Sequence, residues 1–171
     1  MEKDDSIPCC MCSGIYRRKL FSGVIYQEDI HHFEDYLMQV CLVSKSNSVV
    51  TTTEQFYHYR IREWSANHVC YNKKMASCLL IADKLKTNGI VTTRQQYADV
   101  NSYFISQCYF ARIISPIVEN YLLTELKSVV LQNIVNILIS KSIKITHKIA
   151  MLTYPVWPKM NVRIFSKHVV K

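Results

Sequence analysis

The chain has 171 residues, 49% of them hydrophobic and 20% charged, which is enough apolar material for one compact core. No window approaches about 18 uninterrupted apolar residues, so no membrane span and no membrane partner is expected. Three glycines, none of them after Gly89, leave no GxGxxG or Walker loop and exclude an enzyme built on a glycine-rich phosphate cradle.

The formal charge of +8 is unevenly placed. Residues 1–125 carry 13 basic and 13 acidic side chains, whereas residues 126–171 carry eight basic side chains and no acid. Such asymmetry marks either a phosphate- or acid-binding surface or a solvated basic tail. The start, MEKDDSIPCC, lacks the basic and apolar stretches of a secretory signal. The seven cysteines are therefore expected to be reduced thiols of a protein in the cytoplasm or nucleus.

Residues 1–24 are expected to form a disordered N-terminal segment. From Gln27 the pattern becomes helical: Ile30, Phe33, Leu37, Val40 and Cys41 share one stripe, with Glu28, Asp29, Glu34 and Gln39 mostly off it. SKSNS, residues 44–48, is a loop. Thr53 then offers an N-cap for a second helix whose inner face would be Phe56, Tyr57, Ile61 and Trp64. A helix from Asn72 to Lys86 buries Met75, Cys78, Leu79, Ala82 and Leu85, and Gly89 supplies a left-handed residue just beyond it. Thr92 or Thr93 caps the next helix, with Gln95 or Gln96 closing a capping box. That helix runs toward Arg112.

Pro116 suits the first turn of a further helix, and an apolar segment from Ile117 continues through Leu122, Leu126, Val130, Ile134 and Leu138 to about Ser140. Residues 141–152 form one more short helix. Pro155 and Pro158 break it, leaving Met160 to Val170 extended. The predicted class is all-α, with six or seven helices. A core domain spans 25–140, and a basic C-terminal extension covers 141–171.

No HExxH or GxSxG motif is present, and the carboxylates are too few and scattered for an acid/base pair, so no catalysis and no small-molecule substrate are expected. Cys9, Cys10 and Cys12 contain a lone CxxC. Zinc would need further ligands, with His31 and His32 nearest, and no second CxxC or Cys/His pair supports a metal, so none is expected, nor any cofactor.

The order of parts resembles a cyclin box. Ala82-Asp83-Lys84 closes the third helix, and Glu119 follows ahead of Leu122 and Leu123. The subgroup it is most similar to is the phosphate-response cyclins of fungi with the plant P/U-type cyclins. Asn88 in the following loop, Tyr97-Ala98-Asp99-Val100, Asp35-Tyr36-Leu37, and Tyr59 with Arg62 carry that likeness. Asn101 and Ser102 stand where a glycine pair usually follows, and HYRIREW lacks the usual aspartate. The resemblance covers about residues 28–130.

It implies a single cyclin-like helical domain that binds and activates a cyclin-dependent protein kinase. In such a protein an apolar groove takes the kinase's mobile helix, and a few charges fix the register. The resemblance assigns Lys84 and Glu119 to those polar contacts. A second reading takes residues 75–110 as helix–turn–helix, with Thr93 to Phe110 entering a nucleic-acid groove and the basic tail on phosphates, and a third takes the chain as a helical interaction protein with no kinase.

Overall fold

The computed structural model describes residues 11–24, 27–52, 54, 57–58, 71–115 and 117–169, without the side chains of 166–169. The described residues are helical and contain no strand, so the fold is all-α. Most of the expected second helix, with Phe56, Tyr59, Ile61, Arg62 and Trp64, lies outside them, as do Cys9, Cys10 and Pro116. Tyr57, expected on an inner face, is half exposed and outside any helix.

Two 3-10 turns, Met11–Ser13 and Arg18–Phe21, precede the first helix, and the first of them packs on it. Helix α1 is Glu34–Ser44, shorter than the pattern from Gln27 predicted. Phe33 stands at its start in the left-handed region (φ 62°), which breaks the helix there and turns Gln27–Ile30 into a separate turn. Ile30, Leu37 and Leu42 are buried from this region. Gln39, expected off the stripe, is buried with them.

Helix α2 (Lys73–Ala76) runs through a 3-10 stretch, Ser77–Leu80, into α3 (Ile81–Thr87). Asn72 caps α2, its side chain accepting from Met75 N at 3.0 Å. The predicted stripe buries Met75, Cys78, Ala82 and Leu85, with Leu79 half-buried, and Ile81 joins them. α3 ends in a Schellman motif. Ile90 N donates to Leu85 O, and Gly89 N to Lys86 O, both at 3.0 Å, with Gly89 at φ 68°.

Helix α4, Arg94–Ile114, is the centre of the molecule, packed by α3, α5, α6, α7 and α8. Its capping box uses Thr93, whose Oγ1 accepts from Gln96 N, and Gln96, whose Oε1 accepts from Thr93 N. Ala98, Phe104, Ile105, Cys108 and Tyr109 are buried along it. Phe33, Tyr36 and Tyr103 meet Phe104 edge to face at 5.2–5.4 Å between ring centres. Cys78 of the 3-10 stretch and Cys108 of α4 touch as thiols, Sγ to Sγ 3.5 Å.

The apolar run after Pro116 is two helices, α5 (Asn120–Gln132) and α6 (Ile134–Ile139), broken at Asn133. Asn133 Oδ1 accepts from Asn101 Nδ2 of α4 and Asn136 Nδ2, so a half-buried polar junction sits where one continuous helix was expected. Helix α7 is Ile145–Thr153. Residues 158–169 form helix α8, Pro158–Val169, where extended chain was expected. Pro158 occupies its first turn, a position that lacks nothing by losing its N–H, so the proline starts this helix instead of preventing one.

Both C-terminal helices belong to the core. Ala150, Met151 and Tyr154 are buried. Asn161 of α8 accepts the Tyr109 hydroxyl of α4 and donates to Ala150 O of α7 at 2.6 Å. The helical body therefore continues well past residue 140 and includes most of the segment read as an extension.

Candidate partner-binding site

Lys84 lies in the last turn of α3, where the negative helix end favours a cation. Its carbonyl accepts from Asn88 N at 3.0 Å and from Asn88 Nδ2 at 2.9 Å, which ties the side chain's root to the capped turn. Its ammonium reaches Asp29 Oδ2 at 2.9 Å, with 30% and 50% of the two side chains exposed. The hydrogen bond and charge of Lys84 hold the Asp29 carboxyl below the usual carboxylate range. An exposed ion pair does little for stability, so its effect is on orientation: it fixes Lys84 against the Gln27–Ile30 turn.

The same outward side carries Leu80, the last residue of the 3-10 stretch, and Asp83 and Thr87 of α3, all exposed. Asp83 Oδ1 accepts the Tyr97 hydroxyl at 2.8 Å, and Lys86 Nζ stands 5.3 Å from the centre of the Tyr97 ring. Burial, then the bond to Asp83 and its charge, pushes the Tyr97 hydroxyl up to about 12.

Glu119 is the residue before α5, with extended backbone (φ −61°, ψ 136°) and no side-chain cap bond. It is exposed between Ile117, 85% exposed, and Tyr121, 52% exposed. Desolvation, then the hydrogen bond to Glu119, raises the Tyr121 hydroxyl. Lys84 and Glu119 are each given a separate neighbour: the lysine's acid is Asp29, and Glu119 is bonded by Tyr121.

A cleft of about 470 Å³ opens between α1, the segment before it and the turn after α3. Val24, Ile30, Leu37, Met38, Cys41 and Ile90 line it, with Asn88 and Gly89 of the Schellman turn at one side and Glu34 and Lys45 among its polar groups. Lys45 Nζ is held by the Ser22 carbonyl at 3.2 Å. Burial raises the Cys41 thiol, against the opposing pull of Lys45. Ile30 directly follows Asp29 in the chain, and Asn88 bonds the Lys84 carbonyl, but neither Lys84 nor Asp29 itself lines the cleft. Sequence periodicity marked Leu37 and Cys41 only as core. Gly89 was the one signal for the turn that shapes the cleft.

Asp99, part of the Tyr97–Val100 segment, has a distinct structural role. Oδ1 accepts from Lys141 N at 2.5 Å, Ser142 N at 3.1 Å and Ser140 Oγ at 3.0 Å, and Oδ2 from Gln95 Nε2 at 3.1 Å. Desolvation acts to raise its pKa, but the bonds from Gln95, Lys141, Ser140 and Ser142 together outweigh it and hold the carboxyl low. It latches the α6–α7 loop onto α4.

The helix proposed to enter a groove, Thr93 to Phe110, is the core helix α4, enclosed by five neighbours. Little of it is open to a nucleic-acid groove. Cys12 is exposed, and among the described residues no three His, Cys, Asp or Glu side chains gather at metal-binding distance. No helix of the described residues is long and apolar enough to cross a membrane. Comparisons with protein-family models, curated proteins and solved structures returned no match.

Proposed function

We propose that the chain is a cyclin-like regulatory subunit: a non-catalytic helical protein that binds a cyclin-dependent protein kinase and holds it in its active arrangement. The observation that supports this reading is the cleft of about 470 Å³, lined by Val24, Ile30, Leu37, Met38 and Ile90 with Glu34 and Lys45 among them, next in the chain to the Lys84–Asp29 pair through Ile30. A helical partner needs an apolar slot for affinity and fixed charges for register, and the two occur here together. Glu119, between two exposed apolar side chains, is the second contact that the cyclin resemblance names. With α4 enclosed, a nucleic-acid reading has to rest on the basic C-terminal third instead of a helix–turn–helix.

The test is activation of a panel of purified cyclin-dependent kinases by the full chain. Stimulated phosphorylation of a proline-directed substrate is expected for at least one kinase. Lys84→Ala with Glu119→Ala should weaken the complex about 30-fold, as for a loss of about 2 kcal/mol at a charged contact. Met38→Glu, which puts a charge in the cleft, should weaken it as much. Absence of binding across the panel, or a complex indifferent to both variants, would retire the reading.

A further inference from the structure

A surface helix ordinarily turns its apolar stripe inward and polar residues outward. Helix α7 departs from this. Ala150 and Met151 are buried, yet the opposite side presents Ile145 and Ile149, 69% and 53% exposed. Helix α6 repeats the pattern: Ile137 is buried, while Val135 and Leu138 are each more than half exposed.

The two helices adjoin. Lys148 of α7 donates from Nζ to the carbonyls of Leu138 and Ser140, which stitches the middle of α7 to the end of α6. Trp157, 56% exposed, follows α7, with Trp157 N bonded to Thr153 O one turn back. The charge around this patch is mostly positive, with Asp99 of α4 the acid bound against the α6–α7 loop. Lys141 and Lys144 stand exposed in the loop between the helices and Lys159 beyond Trp157, and no acidic residue occurs from 126 to the end. None of the residues lining the cleft belongs to this face.

From this juxtaposition we infer that the α6–α7 face is a peripheral docking surface for an anionic lipid bilayer. Charge complementarity selects the occupant. Aliphatic side chains on a predominantly cationic face, with an exposed tryptophan after them in the chain, suit the headgroup–acyl boundary of a negatively charged leaflet. A second copy of the chain would bring like charge against like. A nucleic acid would leave the exposed isoleucines without apolar contact. The binding is to a surface and requires no spanning helix.

The experiment is co-sedimentation of the full chain with phosphatidylcholine vesicles, a third of whose lipid is phosphatidylserine, beside vesicles of phosphatidylcholine alone. Binding is expected to the first and to be at least about tenfold weaker to the second. It should fall steeply as salt is raised. Lys141→Glu with Lys144→Glu should cost about 25-fold or more, taking about fivefold for each basic side chain at a charged membrane. Ile145→Glu with Ile149→Glu should abolish binding, with circular dichroism confirming that both variants remain helical. Brominated acyl chains should quench the tryptophan fluorescence, and Trp157→Phe should remove that quenching. Failure to bind the anionic vesicles overturns the proposal. So does binding insensitive to either double substitution, or a tighter salt-dependent complex with duplex DNA that the lysine variant abolishes.

Discussion

The stretch from Asn72 to Ile114 and the stretch from Asn120 to Val169 are both helical and both rich in apolar residues, but they place them differently. In the first, the apolar stripe of α2 and α3 and most of α4 are enclosed. In the second, Leu122, Leu126, Val130, Ile137 and Met151 reach the core, while Val135, Leu138, Ile145 and Ile149 remain in solvent. A helix that is apolar on one side can be read as core-facing from its period. When it is apolar on two sides, the period alone does not say which side the core takes. Surplus apolar surface on a folded chain points to a partner more than to stability.

The sharpest way to break that comparison is a matched pair of truncations. Phe104 of α4 is 1% exposed and meets three other rings, so Phe104→Ala should cost about 3–5 kcal/mol in urea unfolding. Ile149→Ala on the outer side of α7 should stay within about 0.5 kcal/mol of wild type. Comparable losses at both positions would mean that the α7 face is core after all.

A middling effect is expected where the two regions are joined. Asp99→Ala leaves the amides of Lys141 and Ser142 without their acceptor and frees the α6–α7 loop from α4. The expected cost is about 2 kcal/mol, with hydrogen exchange rising first at residues 140–142. Asp99→Asn should recover part of this, because its carbonyl oxygen can still accept. An unchanged exchange rate at 140–142 would show that the loop is held by packing and not by the carboxylate.

Local chemistry was the most legible part of the sequence. A capping box at Thr92 or Thr93, which the structure makes with Thr93 and Gln96, and the left-handed Gly89 each need only neighbouring residues, and each is found in the structure, whereas the Asn72 cap was not anticipated. The all-α class followed from the same signals. What could not be read depends on distant groups. Asn133 interrupts an apolar run because its side chain is claimed by Asn101, 32 residues away. Pro155 and Pro158 looked like breakers, yet α8 forms because Asn161 finds Tyr109 and Ala150 across the core. Lys84 was visible as a helix-end cation, but its partner Asp29 lies on a turn that the helical pattern from Gln27 concealed. The cleft depends on how that turn meets α1 and Gly89, and no short motif encodes such a meeting.

The smallest effect concerns His147, which lies on the side of α7 facing α4, its ring 4.6 Å from that of Phe110. Desolvation, then the charge of Lys144, lowers its pKa below the ordinary histidine value. Burial also lowers that of His32, against the raising effect of Glu34. The sign follows from proton binding. Below about pH 6.5 the unfolded chain takes up protons that the folded imidazoles resist, so it binds more of them and folding weakens. The stability these histidines contribute is complete above the unfolded value and is lost as pH falls through the lower folded values. The low-titrating carboxylates Asp29 and Asp99 act in a more acidic window, so between about pH 7 and pH 5 the histidines set the slope. His147→Gln should flatten that slope in thermal unfolding without removing it, because His32 still titrates. A slope identical to wild type would mean that the α7 histidine is as well hydrated in the fold as out of it, and that the inner side of α7 is less dry than its outer, isoleucine-bearing side is wet.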